Sequence, residues 1–329
     1  MCNSALIIGL TSTIRFDMAT PTTLLMPVKN GELFLKEAIN NLEKNCQPED
    51  EILVIDDGST DGTGPLLKQW EKLNPQVRVI SSPKSGLVAA LNFGILKSSN
   101  DWIIRFDVDD RYPDDRTLEL KKQFIDDVVC IFSDYKFTTN KGFSLGVIPS
   151  AIKSDFTYLS LVTSQRTAHS AACYNKRAVI DVGGYKPQDY PAEDLSLWLR
   201  LAKIGKIVSV PRILLNYRLS GNSVTSNLRY ESIRMKKHLI SNFCIDEQLL
   251  EYNILNTDLA QQYYSETEYG QTRYLLHLRD MLLASEITSK VNKNFAAFAK
   301  AAIYKDPINY APASKLLFDT LRRKFYRSI

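Results

Sequence analysis

The feature that most constrains the fold is an alternation of apolar, β-rich runs with segments of helical spacing along the first two-thirds of the chain. Continuous apolar runs are typical of strands that are buried on both faces of a sheet. The predicted strands are Thr23–Val28, Glu51–Ile55, Val77–Ser81, Trp102–Phe106 and Val128–Phe132. The predicted helices are Leu33–Asn45, Gly64–Leu73, Leu87–Lys97 and Thr117–Ile125. This order predicts an α/β fold with a mostly parallel sheet and helices on both faces.

The strand signals fade after about Thr225, and repeated helical stretches follow. A chain of 329 residues is long enough for about two domains. We therefore predict an N-terminal extension over residues 1–22, an α/β domain over residues 23–225 and a helical C-terminal region over residues 226–329.

The composition is that of a globular protein in a reducing compartment. Hydrophobic residues make up 44% of the chain, yet no uncharged apolar run reaches the ~18 residues of a membrane-spanning helix. The opening sequence MCNSALIIGL has no basic segment before its apolar stretch, so it is not predicted to be a signal peptide. The five cysteines have no CxxC spacing, which argues against a zinc site or a disulfide framework. We expect a cytoplasmic protein.

The net charge of +4 is concentrated in the last fifteen residues, 315–329, and the rest of the chain is neutral overall. This distribution argues against a broad basic face for nucleic acid. On a helix, the tail would carry an apolar stripe beside its basic residues. Such a helix either lies on an anionic membrane surface, which would make the protein peripheral on the inner face, or docks on its own domain.

Acidic residues follow two of the predicted strands. Asp56 and Asp57 come after the second strand, and Asp107, Asp109 and Asp110 come after the fourth. Parallel strands bring such clusters to one edge of the sheet, where ligands of open α/β sheets bind. Side chains two apart on an extended segment face the same side, so Asp107 and Asp109 could hold Mg²⁺ or Mn²⁺. The alternative is a solvated acidic turn before a helix.

Several other nucleotide and metal motifs are absent. The chain has no GxxxxGK[ST] loop, no GxGxxG after a strand and no GxSxG elbow. The segment from Asp57 resembles a calcium loop, but its twelfth position, which needs a glutamate, is Lys68.

Seven short motifs, in order from about Thr23 to Thr225, together resemble family 2 glycosyltransferases of the Rossmann-like GT-A fold. They are LLMPVKNG, VIDDGSTDGT, SGLVAALNFGI, IIRFDVDD, VGGY, PAEDLSLWLRLAKIG and LLNYRLSGNSVT. The resemblance implies an inverting enzyme of bacterial polysaccharide or glycan biosynthesis. Its donor would be a nucleotide diphosphate sugar, a UDP-sugar first, and its acceptor a hydroxyl of a glycan or a lipid-linked sugar.

The resemblance also implies roles for individual residues. Asp109 would bind the metal, together with Asp107, and Asp194 would be the catalytic base, supported by Glu193. We expect burial beside Glu193 to raise the pKa of Asp194. The residues expected to bind the nucleotide sugar are Pro27, Val28, Asn30, Asp57, Lys84, Gly86, Asn92, Asp107 and Arg218.

Two positions leave questions open. Many relatives have a histidine where this chain has Ser220, and serine is a poor ligand for a divalent ion. His169 falls on the expected acceptor side, where it is either functional or a satisfied structural histidine. Two other functions compete with glycosyl transfer, namely a nucleotidyltransferase and a non-catalytic module that binds sugar nucleotides or glycans.

Overall fold

The computed structural model describes residues 20–150, 152, 157, 161, 167–219 and 228–246. Eight strands of this part of the chain form one sheet. They are β1 (Thr22–Val28), β2 (Glu51–Asp56), β3 (Val77–Ser81), β4 (Trp102–Arg105), β5 (Val128–Thr138), β6 (Ser144–Ile148), β7 (Cys173–Asn175) and β8 (Lys206–Arg218). The five predicted strands are confirmed, each within one residue at its start.

Helices connect the strands. The α-helices of the described residues are α1 (Glu32–Asn45), α2 (Thr63–Leu73), α3 (Leu87–Lys97), α4 (Arg116–Lys121), α5 (Lys176–Asp181), α6 (Glu193–Leu201) and α7 (Arg229–Asp246). The four predicted helices are present, but α4 is shorter than predicted. It ends at Lys121 because the chain turns there, and the Phe124 ring stacks on Trp102 with 4.2 Å between ring centroids.

The strand order is β3-β2-β1-β4-β7-β5-β6, and β8 pairs with β5. The pairs β1/β2, β2/β3, β1/β4 and β5/β8 are parallel. The short strand β7 runs antiparallel between β4 and β5, and β6 runs antiparallel to β5. The mostly parallel sheet is therefore confirmed, with antiparallel pairing confined to its second half.

The hydrophobic core lies on both faces of the sheet. Side chains alternate along a strand, so neighbours on β1 enter different layers. Leu25 packs in the layer that contains α3 and α6, whereas Leu24 and Met26 pack in the layer that contains α1 and α2. All three side chains are fully buried. Burial on both faces explains why β1 is a continuous apolar run.

Helix α3 approaches the sheet closely at Gly94. A Cβ atom at this position would lie 2.6 Å from Leu25 Cδ1 and 3.0 Å from Ile55 Cγ1. The absence of a side chain therefore sets the distance between α3 and strands β1 and β2.

Other predictions concern parts of the chain outside the described residues. Residues 1–19, most of the predicted helical region and the basic tail at 315–329 belong to this group. Within the predicted helical region, the structure describes α7. No helix in the described ranges combines the length and the apolar character that crossing a membrane requires. The bounds of the three predicted segments stay predictions.

Candidate active site

The candidate site lies at the carboxyl ends of β1, β2 and β4, where the loops after β1 and β4 touch. A Cβ atom on Gly31 would lie 2.7 Å from Val28 Cγ2 and 3.0 Å from Val108 Cγ2. Val108 separates Asp107 from Asp109 in the chain. The predicted donor-binding turn at Pro27, Val28 and the acidic segment after β4 are thus neighbours.

Asn30 connects the loop after β1 to the loop after β2. Its backbone has a positive φ of 52°, a conformation that asparagine tolerates better than most residues. The Asn30 amide oxygen accepts a hydrogen bond from Thr60 N at 2.8 Å, and Asn30 N donates to Ser59 Oγ at 2.9 Å. Asp56 caps the same loop by accepting from Ser59 N at 3.0 Å. Asn30 therefore holds the loops after β1 and β2 together.

Asp57 ties β2 to the start of α3. Its buried carboxylate accepts two hydrogen bonds from Gly86 N, at 2.9 and 3.0 Å, and lies 3.9 Å from Lys29 Nζ. Gly86 has a φ of +109°, which a residue with a side chain rarely adopts. Lys84, in the loop before it, is exposed, and its carbonyl accepts from Ser82 Oγ at 2.6 Å. This loop closes the candidate site on the β2 side.

The three aspartates after β4 differ in their surroundings. Asp107 accepts a hydrogen bond from Arg105 Nη2 at 2.5 Å. Asp110 is buried and accepts from Ser170 Oγ at 2.5 Å and from Arg218 N at 2.9 Å, so it holds the loop in place. Burial, followed by the charge of Asp107, raises the pKa of Asp109 to about 6. Asp107 and Asp109 are therefore the two carboxylates of this segment that could bind a ligand.

This pair fits a divalent cation. The raised pKa of Asp109 means that nearby positive charge only partly compensates the two carboxylates, and a cation would relieve their repulsion. Across the described residues, no cluster of three or more His, Cys, Asp or Glu side chains could hold a metal ion. Magnesium commonly takes one or two carboxylates and completes its shell with water and substrate phosphates. A set of two aspartates therefore suits a metal that binds together with a nucleotide.

Glu193 and Asp194 form the first turn of α6. Glu193 is 5% exposed, whereas Asp194 is half-buried. Burial, followed by the charge of Asp194, raises the pKa of Glu193 to about 7. Glu193, which we expected to support Asp194, is thus the more buried carboxyl of the pair. Charged or titratable groups near Glu193 come from several other elements, namely Arg105, His169, Tyr185, Tyr190 and Lys236.

A link of side chains joins the two acidic pairs. Arg105 is fully buried, and its Nη1 lies 2.8 Å from His169 Nε2 while its Nη2 contacts Asp107. His169 Nδ1 in turn lies 3.8 Å from Glu193 Oε1. The sequence analysis missed Arg105 as a site residue. The available signal was a single arginine inside the apolar run WIIRF.

Two predicted donor-binding residues have protein partners in the structure. The Asn92 amide donates to Tyr185 O and accepts from Tyr185 N, both at 2.8 Å, and thereby holds the glycine turn before Tyr185 against α3. Arg218 Nη2 donates to Glu37 Oε2 at 2.5 Å, and the guanidinium lies 4.8 Å from the centre of the Phe34 ring. Ser220 lies outside the described residues.

Comparison with known proteins identifies related sequences. Residues 23–182 match the model of glycosyl transferase family 2. An uncharacterized glycosyltransferase from Haemophilus influenzae is 26% identical over 64% of this chain and 69% of its own length. The putative teichuronic acid biosynthesis glycosyltransferase TuaG of Bacillus subtilis is 25% identical over 62% of this chain and 81% of its length. The UDP-Gal:alpha-D-GlcNAc-diphosphoundecaprenol beta-1,3-galactosyltransferase of Escherichia coli is 29% identical over 59% of this chain and 71% of its length.

Solved structures support the same assignment at the level of the fold. TarS 1–349 from S. aureus, crystallised with UDP-GlcNAc, has a TM-score of 0.56 at 17% identity and covers 94% of this chain and 92% of its own. The mannosyltransferase PcManGT from Pyrobaculum calidifontis, in complex with GDP-Man and Mn2+, has a TM-score of 0.51 at 16% identity, over 94% and 88% of the two chains. The family match identifies residues 23–182 as a glycosyl transferase family 2 domain, the related sequences support a glycosyltransferase, and the solved structures show the GT-A fold.

Proposed function

We propose that this enzyme transfers a sugar from a nucleotide diphosphate sugar to a hydroxyl of a glycan or lipid-linked acceptor, with inversion at the anomeric carbon and with Mn²⁺ or Mg²⁺ as cofactor. The observation that carries the proposal is the pairing of two acidic sites at one edge of the sheet. Asp107 and Asp109 lie on the donor side, and Glu193 and Asp194 lie at the start of α6, with buried side chains connecting them.

A nucleotide diphosphate sugar is supported by the relatives, with a UDP-sugar as the first candidate. The name of the E. coli relative specifies UDP-Gal, and TarS was crystallised with UDP-GlcNAc. In this proposal the nucleotide lies against Pro27, Val28 and Asp57, and the loop of Lys84 and Gly86 flanks it. Asn30 and Asn92 shape the walls of the pocket, and Arg218 lies near the diphosphate.

Asp109 and Asp107 would hold the divalent cation. When bound, the cation would offset the negative charge that develops on the departing diphosphate. The Mn2+ in the complex of PcManGT supports a metal in enzymes of this fold. The protein's own contribution is the half-buried setting of Asp109, where burial, followed by the charge of Asp107, raises the pKa to about 6. A cation held by the two aspartates would relieve their repulsion.

Asp194 would act as the general base. The acceptor hydroxyl loses its proton to the Asp194 carboxylate while its oxygen forms a bond to the anomeric carbon. The bond from that carbon to the diphosphate breaks, and the diphosphate leaves with the electron pair. Attack from the face opposite the leaving group inverts the anomeric centre. Asp194 is half-buried at the first turn of α6, so its carboxylate is available to a substrate.

A lipid-linked acceptor is supported by the name of the E. coli relative, which specifies a diphosphoundecaprenol-linked sugar. The predicted basic tail at residues 315–329 would suit such an acceptor if it lies on an anionic membrane surface. The name of the B. subtilis relative, which refers to teichuronic acid biosynthesis, supports a role in polysaccharide or glycan synthesis.

The test compares Asp194→Asn with the wild type. UDP-GlcNAc, UDP-galactose and GDP-mannose are each incubated with the full chain and Mn²⁺, and the release of nucleoside diphosphate is measured. We expect Asp194→Asn to retain the thermal stabilisation that the donor gives the wild type, yet to release nucleoside diphosphate at least ~10²-fold more slowly, because the base is missing. In this assay water takes the place of the acceptor, and nuclear magnetic resonance of the sugar as it is first released reports whether the anomeric centre has inverted.

Asp181→Asn is the matched control, because Asp181 is an exposed aspartate at the end of α5. It should behave as the wild type in both assays. Wild-type turnover in Asp194→Asn would assign the base to another residue, and loss of donor binding would mean that Asp194 supports the fold at the helix start. A wild type that releases nucleoside diphosphate from none of the three donors would contradict the proposed donor class.

A further inference from the structure

The link between the two acidic pairs runs through His169, a residue for which the transfer reaction as proposed has no role. One ring nitrogen, Nε2, lies 2.8 Å from Arg105 Nη1. The other, Nδ1, lies 3.8 Å from Glu193 Oε1. The His169 side chain is 15% exposed and the Glu193 side chain 6%. Both ring nitrogens therefore face specific charged groups inside the protein.

These contacts determine which nitrogen of His169 carries the proton. A guanidinium group can only donate hydrogen bonds, so the Nε2 atom that faces Arg105 must accept. Burial, followed by the charges of Arg105 and Lys236, lowers the pKa of His169 well below its usual value, so the ring is neutral. A neutral imidazole with an unprotonated Nε2 has its proton on Nδ1, the atom directed at Glu193.

The surroundings of the ring prevent it from turning to another partner. The Tyr185 hydroxyl lies 2.8 Å from Nε2 and shares that atom with Arg105. The Trp198 indole packs edge-on against the imidazole, with 6.0 Å between ring centroids. Trp198 belongs to α6 and is fully buried, so the ring is held by the same helix that carries the acidic pair.

We propose that His169 is a positioning residue that accepts a hydrogen bond from Arg105 and presents its Nδ1–H to Glu193, thereby aligning the first turn of α6 with the donor side of the site. The inference rests on the proposed function, in which Asp194 on that turn is the base and Asp107, the other partner of Arg105, contacts the donor. The present separation of 3.8 Å exceeds a hydrogen bond, and contacts of this kind often tighten when substrate binds.

Two substitutions separate the two halves of the link. In His169→Gln, the side-chain oxygen can take the place of Nε2 and accept from Arg105, but nothing donates to Glu193. In His169→Asn, the shorter amide can take the place of Nδ1–H and donate to Glu193, but the contact with Arg105 is lost. Both variants remove the ring, so a general loss of packing affects them alike.

The assay measures nucleoside diphosphate release from UDP-GlcNAc, UDP-galactose or GDP-mannose by the full chain with Mn²⁺. We expect His169→Gln to keep the wild-type KM for the donor and to lower kcat by about tenfold or more, because the Nδ1–H that faces Glu193 on the catalytic side is lost. We expect His169→Asn to keep kcat within about threefold and to raise KM, because Arg105, the partner of Asp107, is no longer held by residue 169. Equal effects of the two variants on kcat and KM, or no effect of either, would overturn the proposal.

A second measurement does not depend on activity. The chain has three histidines, so ¹⁵N-labelled imidazole signals can be assigned to His169 by their loss in the variants. At pH 7.5 we expect a protonated Nδ1 and an unprotonated Nε2. A proton on Nε2, or a charged ring, would refute the assignment even if the wild type acts on none of the donors. Inactivity of the wild type would contradict the proposed function, whereas the wrong tautomer contradicts the role of His169.

Discussion

Glutamine in place of Glu193 should make the stability of the protein less dependent on pH. In the folded protein, burial and the neighbouring Asp194 raise the pKa of Glu193 from its ordinary value of 4.5 to about 7. The folded state therefore favours the protonated carboxyl. A raised pKa contributes stability that is complete below pH 4.5 and is lost as the pH rises through 7.

The size of the effect follows from the shift. Each pKa unit corresponds to about 1.4 kcal/mol, so ionisation of Glu193 at high pH removes about 3 kcal/mol from the free energy of unfolding. Part of this loss has already occurred at pH 5, where the unfolded chain is ionised. Between pH 5 and pH 8.5, the free energy of unfolding of Glu193→Gln should therefore rise relative to the wild type by about 2–3 kcal/mol.

Urea unfolding, followed by tryptophan fluorescence at pH 5, 6, 7 and 8.5, measures this difference. The matched control is Glu231→Gln, because Glu231 is an exposed glutamate in the first turn of α7. Its difference from the wild type should stay nearly constant across the series. A constant difference for Glu193→Gln, or a free energy of unfolding that falls relative to the wild type as the pH rises, would refute the reasoning from burial.

Three further substitutions test the site and the packing around it. Asp109→Asn should abolish the additional thermal stabilisation that Mn²⁺ gives in the presence of a nucleotide-sugar donor, and unchanged stabilisation would remove Asp109 from the metal site. Gly94→Ala should destabilise the protein by about 1–3 kcal/mol in urea, because the new methyl group overlaps the β1 leucine, whereas Gly64→Ala, where a Cβ meets nothing closer than 3.8 Å, should cause no loss. Lys121→Met should cost about 3–5 kcal/mol, because it leaves the buried carboxylate of Asp50 without the ammonium group 2.9 Å away, and a loss below about 1 kcal/mol would show that the pair is dispensable.

The strands and helices around the site are accessible to sequence reasoning because their signals are local. Burial on both faces produces a continuous apolar run in β1, and a helix with one buried face produces the spacing of α3. Acidic residues directly after a strand must lie at its carboxyl end, so the placement of Asp57 and Asp107 could be predicted in the same way. The end of α4 at Lys121 could not be predicted from the local sequence, because it depends on the stacking of Phe124 on Trp102, which lies in β4.

The different burial of neighbouring acidic residues cannot be predicted from the local sequence. The sequence presents Glu193 and Asp194 as adjacent carboxylates and does not show which of them is the more buried. In the structure it is Glu193 that points inward, towards His169 and Arg105. Burial depends on the direction of the side chain at the first turn of α6, and the elements packed against that turn decide this direction.

The order of strands and helices, the family and the positions of the acidic clusters were therefore determined by the sequence alone, because neighbouring residues encode each of them. The tertiary structure alone decided which groups are partners. Arg105 and His169 are separated by 64 residues, and their contact exists because the short strand β7 pairs with β4 and brings the turn before it over the end of that strand. A pairing of this kind depends on strand register across the sheet, a property that no single segment of the chain encodes.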